Sequence, residues 1–366
     1  MNIVWIRNSI FALSLSSLAM MACQTDITPS STSDLPNTGA DLSNTGNLSA
    51  NNGSSSQSNG SVARVRAAYL PSYAVTTSNM VILWDQFNLL RAFSITLNTD
   101  GTIKTNALTS AMYLEYVKTA QSKGIPVTIT VGGGGQSAAL VNVAASATKR
   151  KVFNDEIKGV LAKYSLKGVV MDWEFPEASD KTNFEVWMKE LKAALGTTYT
   201  LGVSVPTLDH GQRTNFSDVL LSTVDEIEVM AYDYNNCIPG KVYTVLADLS
   251  SFAKTSQTLN YWKTTRNVPG SKILLGLPTY GNAFYKDSQV ATGLTCFTQM
   301  GAGYYEGTRD GADTVVLTPE PERTQKAQLV KDQNLKGVMY WELTQDGVGA
   351  WSMVGEYNRK LKALGL

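Results

Sequence analysis

Two carboxylates stand two residues apart in an otherwise apolar run, Lys167-Gly168-Val169-Val170-Met171-Asp172-Trp173-Glu174-Phe175-Pro176. The β-branched pair Val169 and Val170 favours a strand. Alternation along a strand points Val170, Asp172 and Glu174 to one side and Val169, Met171 and Trp173 to the other. Acidic groups are costly to bury at the C-terminal mouth of an apolar strand, and catalysis is the use that accounts for them. The two Cα atoms are expected roughly 6–7 Å apart, a separation that by itself suits an inverting pair with room for a water. Both groups rise from one wall, however, and this favours a division of labour. Glu174, nearest the mouth, is then the general acid, and Asp172 orients the substrate or modulates Glu174. Proximity of like charges raises one of the two pKa values.

These groups need a frame to hold them. From residue 63 onward, short apolar strands are expected at 65–70, 89–95, 126–131, 168–174, 200–205, 226–232, 273–277 and 337–341. Amphipathic helical stretches fall at 110–122, 149–163, 182–195, 323–332 and 355–364. Strands alternating with helices over this length match the α/β class and a single (β/α)8 TIM barrel. The run Gly132-Gly133-Gly134-Gly135 lacks the G-x-G-x-x-G order, which argues against a dinucleotide site. In such barrels function gathers at the C-terminal strand ends. Those ends carry Tyr69, Phe93, Gly133, Asp172, Glu174, Met230, Tyr232, Asp233, Tyr280, Trp341 and Glu342. An aromatic-lined mouth with a few carboxylates is the composition of a carbohydrate-cleaving site.

Composition narrows the partners. The 366 residues carry 31 Lys and Arg against 31 Asp and Glu, so nothing in the charge favours nucleic acid. A lone histidine, His210, speaks against a multi-histidine metal site and against a Ser-His-Asp triad, and it reads as a loop residue after the fifth strand. A monomer is expected. Residues 1–23 read as an export signal, with Arg7 ahead of an apolar run that ends at Ala22. The sequence Leu18-Ala19-Met20-Met21-Ala22-Cys23 resembles the lipobox of bacterial lipoproteins, in which the cysteine is lipidated. Cys23 is then the lipidation site, and the domain is anchored to the cell envelope by lipid alone; a plain signal peptide, with secretion, is the alternative. Residues 24–62 are rich in Ser, Asn, Thr and Gly and read as a disordered tether. The catalytic barrel is expected over residues 63–366.

At the level of motifs, the barrel resembles glycoside hydrolase family 18, the chitinases and chitinase-like proteins. That family carries D-G-x-D-x-D-W-E-Y-P on its fourth strand, and residues 167–176 align to it without a gap. Thr130-Val131-Gly132-Gly133 looks like the family's S-x-G-G, Met230-Ala231-Tyr232-Asp233-Tyr234 its M-x-Y-D-[YF], and Gly276-Leu277-Pro278-Thr279-Tyr280-Gly281 its G-x-P-x-Y-G. Gly337-Val338-Met339-Tyr340-Trp341-Glu342 resembles the eighth strand with its floor tryptophan. Lys167 and Val170 depart from the pattern, each standing where the family has aspartate.

The resemblance implies a substrate-assisted, retaining mechanism in which the substrate's 2-acetamido carbonyl attacks the anomeric carbon. Glu174 would protonate the leaving oxygen and later activate water. Asp172 would hold the acetamido N–H, Tyr232 would bond its carbonyl oxygen, and Trp341 would form the floor. Asp233 would contact the sugar or the acid. Met230, Tyr69, Phe93, Gly133 and Tyr280 complete the expected substrate-binding set. No metal or cofactor is required. Val170 replaces a family carboxylate that shares a proton with Asp172, so Asp172 is expected to keep one orientation, toward Glu174, with slower or pH-shifted turnover. The expected substrate is chitin or another N-acetylglucosamine oligosaccharide. The alternatives are an endo-β-N-acetylglucosaminidase acting on N-glycans and a non-catalytic lectin. Cys237 and Cys296 follow neighbouring strands and, in an oxidising compartment, either pair across the mouth or remain free thiols. The segment after the seventh strand is glycine-rich and short of strand pattern, so no large insertion domain and a shallow, open cleft are expected.

Overall fold

The computed structural model describes residues 64–104, 106–235, 238, 240–285, 294–301 and 314–366. Cys23, the tether and Cys237 lie outside the described residues, as does the side chain of Cys296, so the expected lipidation and disulfide fall outside them too.

Eight parallel strands close on themselves. They are β1 (Val65–Pro71), β2 (Leu89–Leu97), β3 (Val127–Gly132), β4 (Gly168–Asp172), β5 (Thr200–Val205), β6 (Glu226–Val229), β7 (Ile273–Pro278) and β8 (Gly337–Trp341). Each pairs with the next, and β8 pairs with β1 through Ala67 opposite Met339, which closes the barrel. All eight expected strands are present. Two stop earlier than expected, β4 at Asp172 and β6 at Val229, because the chain leaves the ladder there to line the mouth.

Alternation divides the side chains into two cores. Outward residues of the strands, such as Val169, Met171 and Trp173, pack beneath the helices with Phe153, Phe184, Trp187 and Trp262. Inward residues form a smaller cluster with Ala67, Tyr69, Phe93, Tyr232, Tyr280 and Met339. Helices Ala111–Ser122, Ala147–Lys163 and Met353–Ala363 each begin behind a serine whose hydroxyl accepts a backbone N–H three residues on. Such caps satisfy donors that the first helical turn leaves open. Among the described residues no helix is long and apolar enough to cross a membrane.

One expectation is corrected. The segment after β7 does carry strands: Tyr280–Tyr285, Leu294–Gly301 and Thr314–Val316 join Val242–Tyr243 in a four-stranded antiparallel sheet. Small and polar residues such as Gly281, Asn282, Thr295 and Gln299 interrupt the apolar pattern, so backbone pairing rather than hydrophobic alternation defines this sheet.

Candidate active site

The β4 strand delivers Asp172 to the mouth at 5% exposure. Trp173 turns outward, fully buried, with its ring 4.9 Å from that of Phe184. This anchor leaves Glu174 pointing back over the barrel, and Ser137 Oγ fixes its backbone by donating to the Glu174 carbonyl at 2.8 Å. Asp172, Glu174, Met230, Tyr232, Asp233 and Trp341 line one cavity of about 370 Å³, and Tyr69 forms part of the same wall. A second cavity of about 440 Å³ shares Glu174 and Trp341 and runs toward Tyr73, Phe93, Gly133 and Gln136. Glu174 and Trp341 therefore stand where the two spaces meet.

An aromatic cluster backs this junction. The Trp341 ring lies 5.2 Å from Tyr69 and 4.8 Å from Phe93, edge-on to the latter at 82°. Gly133 permits that arrangement: its φ is +100°, and a Cβ there would sit 2.6 Å from Phe93 Cζ. Tyr280, expected in the cleft, borders neither cavity. It is 2% exposed, packs 6.4 Å from Tyr232, and its hydroxyl donates to Asp233 Oδ1 at 2.7 Å. The peptide bonds Phe93–Ser94, Glu174–Phe175 and Trp341–Glu342 are cis.

Burial raises the proton affinity of both acids. Burial, then the charges of Glu174 and Glu228, push Asp172 well above the usual carboxylate range, while the adjacent Ser204 hydroxyl acts in the opposite direction. Burial also raises Glu174, a hydrogen bond with Asp172 lowers it, and Asp233 raises it further. Asp172 Oδ1 is buried with no hydrogen-bond partner. Below Asp172 lies an ion cluster that sequence reading did not find. Arg91, fully buried, donates to Glu228 at 2.9 Å, to Thr128 at 2.8 Å and to Glu226; Tyr69 donates to Glu228, and Lys336 meets Glu226 at 2.8 Å. The signal was present as alternation: Glu226 and Glu228 share the inward face of β6, and Arg91 shares that of β2 with Phe93.

Of the expected residues, Glu174, Asp172, Tyr232, Trp341, Asp233, Met230 and Tyr69 meet in the first cavity, whereas Phe93 and Gly133 border the second. His210 lies in a loop, as expected, and that loop brings it to the first cavity, where its ring packs 4.4 Å from Phe175. Ser204, Thr207, Tyr73 and Gln136 also line the cavities and carried no motif.

The sequence profile of glycosyl hydrolases family 18 matches residues 65–346. The chain belongs to that family. It is a chitinase-like glycoside hydrolase. Among its relatives, an endochitinase of Metarhizium anisopliae is 24% identical over 290 residues, which is 67% of each chain. The fold is similar to that of a chitinase from Bacteroides thetaiotaomicron, with a TM-score of 0.68 and 18% identity over 82% of this chain and 97% of that one. It is equally similar to a chitinase-like agglutinin from Robinia pseudoacacia, with a TM-score of 0.68 and 21% identity over 81% and 99% of the two chains.

Proposed function

We propose that this family 18 hydrolase cleaves β-1,4 bonds next to N-acetylglucosamine, in chitin or its oligosaccharides, by a retaining, substrate-assisted mechanism. One observation carries the reading: Glu174 and Asp172 share a cavity with Tyr232 and Trp341, and Asp172 presents a buried Oδ1 without a partner. An unpaired buried acceptor is costly, and an acetamido N–H satisfies it. Glu174, its proton retained through burial, donates to the leaving oxygen. The acetamido carbonyl, oriented by Tyr232 over the Trp341 face, attacks the anomeric carbon. Asp172 carries the negative charge that balances the cyclic cation. Glu174, now ionised, takes a proton from water as that water opens the ring, which restores the starting states with the original anomeric configuration.

The protein works as a monomer, exported and held at the cell envelope by lipid on Cys23. The apolar run ending at Ala22-Cys23 supports export and the lipid anchor; loss of metabolic lipid labelling in Cys23→Ser tests the anchor.

The decisive assay is chromophore release from a chitobioside by wild type and by Glu174→Gln. Release by wild type that falls at least about a hundredfold in the variant fits the reading. Binding without release by either protein favours a lectin. Parallel digestion of a glycoprotein and of chitin oligomers separates chitinase action from N-glycan cleavage.

A further inference from the structure

Asp172 is surrounded by acids. Strand register explains how. Met171 pairs with Val203 across β4 and β5, and Ser204 pairs with Glu228 across β5 and β6. Asp172, Ser204 and Glu228 therefore occupy one inward tier of the barrel. Their outer members are two strands apart, about 10 Å between backbones at the usual spacing. Side chains converge from there toward the axis, and on β5 the small Ser204 stands between them. In the tier below, Gly202 leaves similar room: a Cβ there would meet both Val170 Cγ2 and Glu226 Cγ at 3.1 Å.

Charge bookkeeping in this interior is uneven. Arg91 and Lys336 face Glu226 and Glu228, so those four groups balance among themselves. Asp172 and Glu174 add two more acids, and the groups that act most strongly on them include no cation. The titratable groups facing Asp172 are Glu174 beyond its own strand, Tyr69 from β1, Tyr232 after β6, and Glu228 from β6; Asp233 bears on Glu174. On β4 itself the position beneath Asp172 is the apolar Val170. Its register partner Thr130 has a buried hydroxyl with no hydrogen-bond partner.

We propose that Glu228 is a positioning residue for Asp172. It supplies from β6 the carboxylate that β4 lacks at Val170, and Arg91 and Tyr69 fix it in place so that its charge retains the single proton shared by Asp172 and Glu174. The inference rests on the reading that this pair works with one proton.

The sign is definite. A negative group nearby raises the pair's proton affinity, so removing it lets the proton leave at lower pH. Glu228→Gln keeps the size and an acceptor oxygen for Arg91. It should move both limbs of the kcat/KM profile toward acid by about one pH unit. Val170→Asp should move them toward alkali, and the double variant should return them near wild type. A carboxyl titration by NMR of carbon-labelled protein, without substrate, should show the same shifts of Asp172. Limits that stay in place in Glu228→Gln, with or without lower activity, would overturn the proposal, as would a Val170→Asp profile unchanged from wild type. If Glu228→Gln does not fold, Val170→Asp alone decides. If wild type hydrolyses no N-acetylglucosamine substrate, the functional reading fails by itself and the NMR titration still decides the role of Glu228.

Discussion

The Tyr280 hydroxyl donates to Asp233 Oδ1 across 2.7 Å, a bond that joins the strand after β7 to the turn after β6. Asp233 holds a φ of +61°, so its backbone alone does not favour this pose. Tyr280→Phe removes the donor while keeping the ring against Tyr232. We expect kcat to fall about tenfold and stability to fall by about 1 kcal/mol. Steady-state kinetics with a thermal melt checks this; unchanged kcat would show that the tie is not used in turnover.

The buried acids should also weaken the fold. Asp172 has a raised pKa, caused first by burial and then by Glu174 and Glu228. Such a group contributes stability below its unfolded pKa and loses it as pH rises through the folded value. Asp172→Asn should therefore melt above wild type at pH 8, with the difference closing toward acid. Thermal melts across pH read this out, and a constant difference would contradict the assigned direction.

Gly133→Ala tests the aromatic cluster. The added methyl meets Phe93 Cζ and imposes an L residue on a φ of +100°. Stability should fall by about 1–3 kcal/mol. Displacement of Phe93 from its edge-on seat should change Trp341 fluorescence, measured against the other tryptophans by the variant Trp341→Phe. A folded Gly133→Ala protein with wild-type spectrum and melting would argue against the close fit.

Lys326 predicts an opposite pH trend. It is fully buried on helix Glu320–Asp332, donating to Ser250 Oγ at 2.8 Å and to the Ser250 carbonyl; Ser250 Oγ in turn donates to Ala231, next to Tyr232. Burial lowers its pKa to about 8, against the upward pull of Asp248 and Glu322. A lysine depressed in this way gives stability above its unfolded pKa that is lost as pH falls toward 8. Lys326→Met should gain on wild type as pH drops from 10.5 to 7, by up to about 3 kcal/mol. Denaturant melts at several pH values check it, and a difference independent of pH would refute it.

How much was legible depended on whether a signal was local. Strand β4 announced itself because six neighbouring residues combine β-branching, alternation and acids in one window. The expected residues that line the first cavity sit at strand ends, where barrel architecture dictates position. That the Tyr280 hydroxyl meets Asp233 was not legible, because a strand-end position does not reveal whether a side chain faces the cavity or a neighbouring carboxylate. The Arg91 cluster was missed because its partners lie 135 and 137 residues away, and no local pattern relates them. His210 reached the cavity by packing on Phe175, a contact between two loops.

Arg91 stands on β2, and the carboxylates that neutralise it stand on β6. A chain cut between β4 and β5 would leave a cation in one fragment and its counter-charges in the other, each facing an interior that cannot solvate it. Neither fragment could close upon itself as an independent half. This barrel is consequently an indivisible unit: its interior electroneutrality exists only once the first and third quarters of the ring have met, and exchanging halves with a sister barrel would require both sides of the ion cluster to be transplanted together.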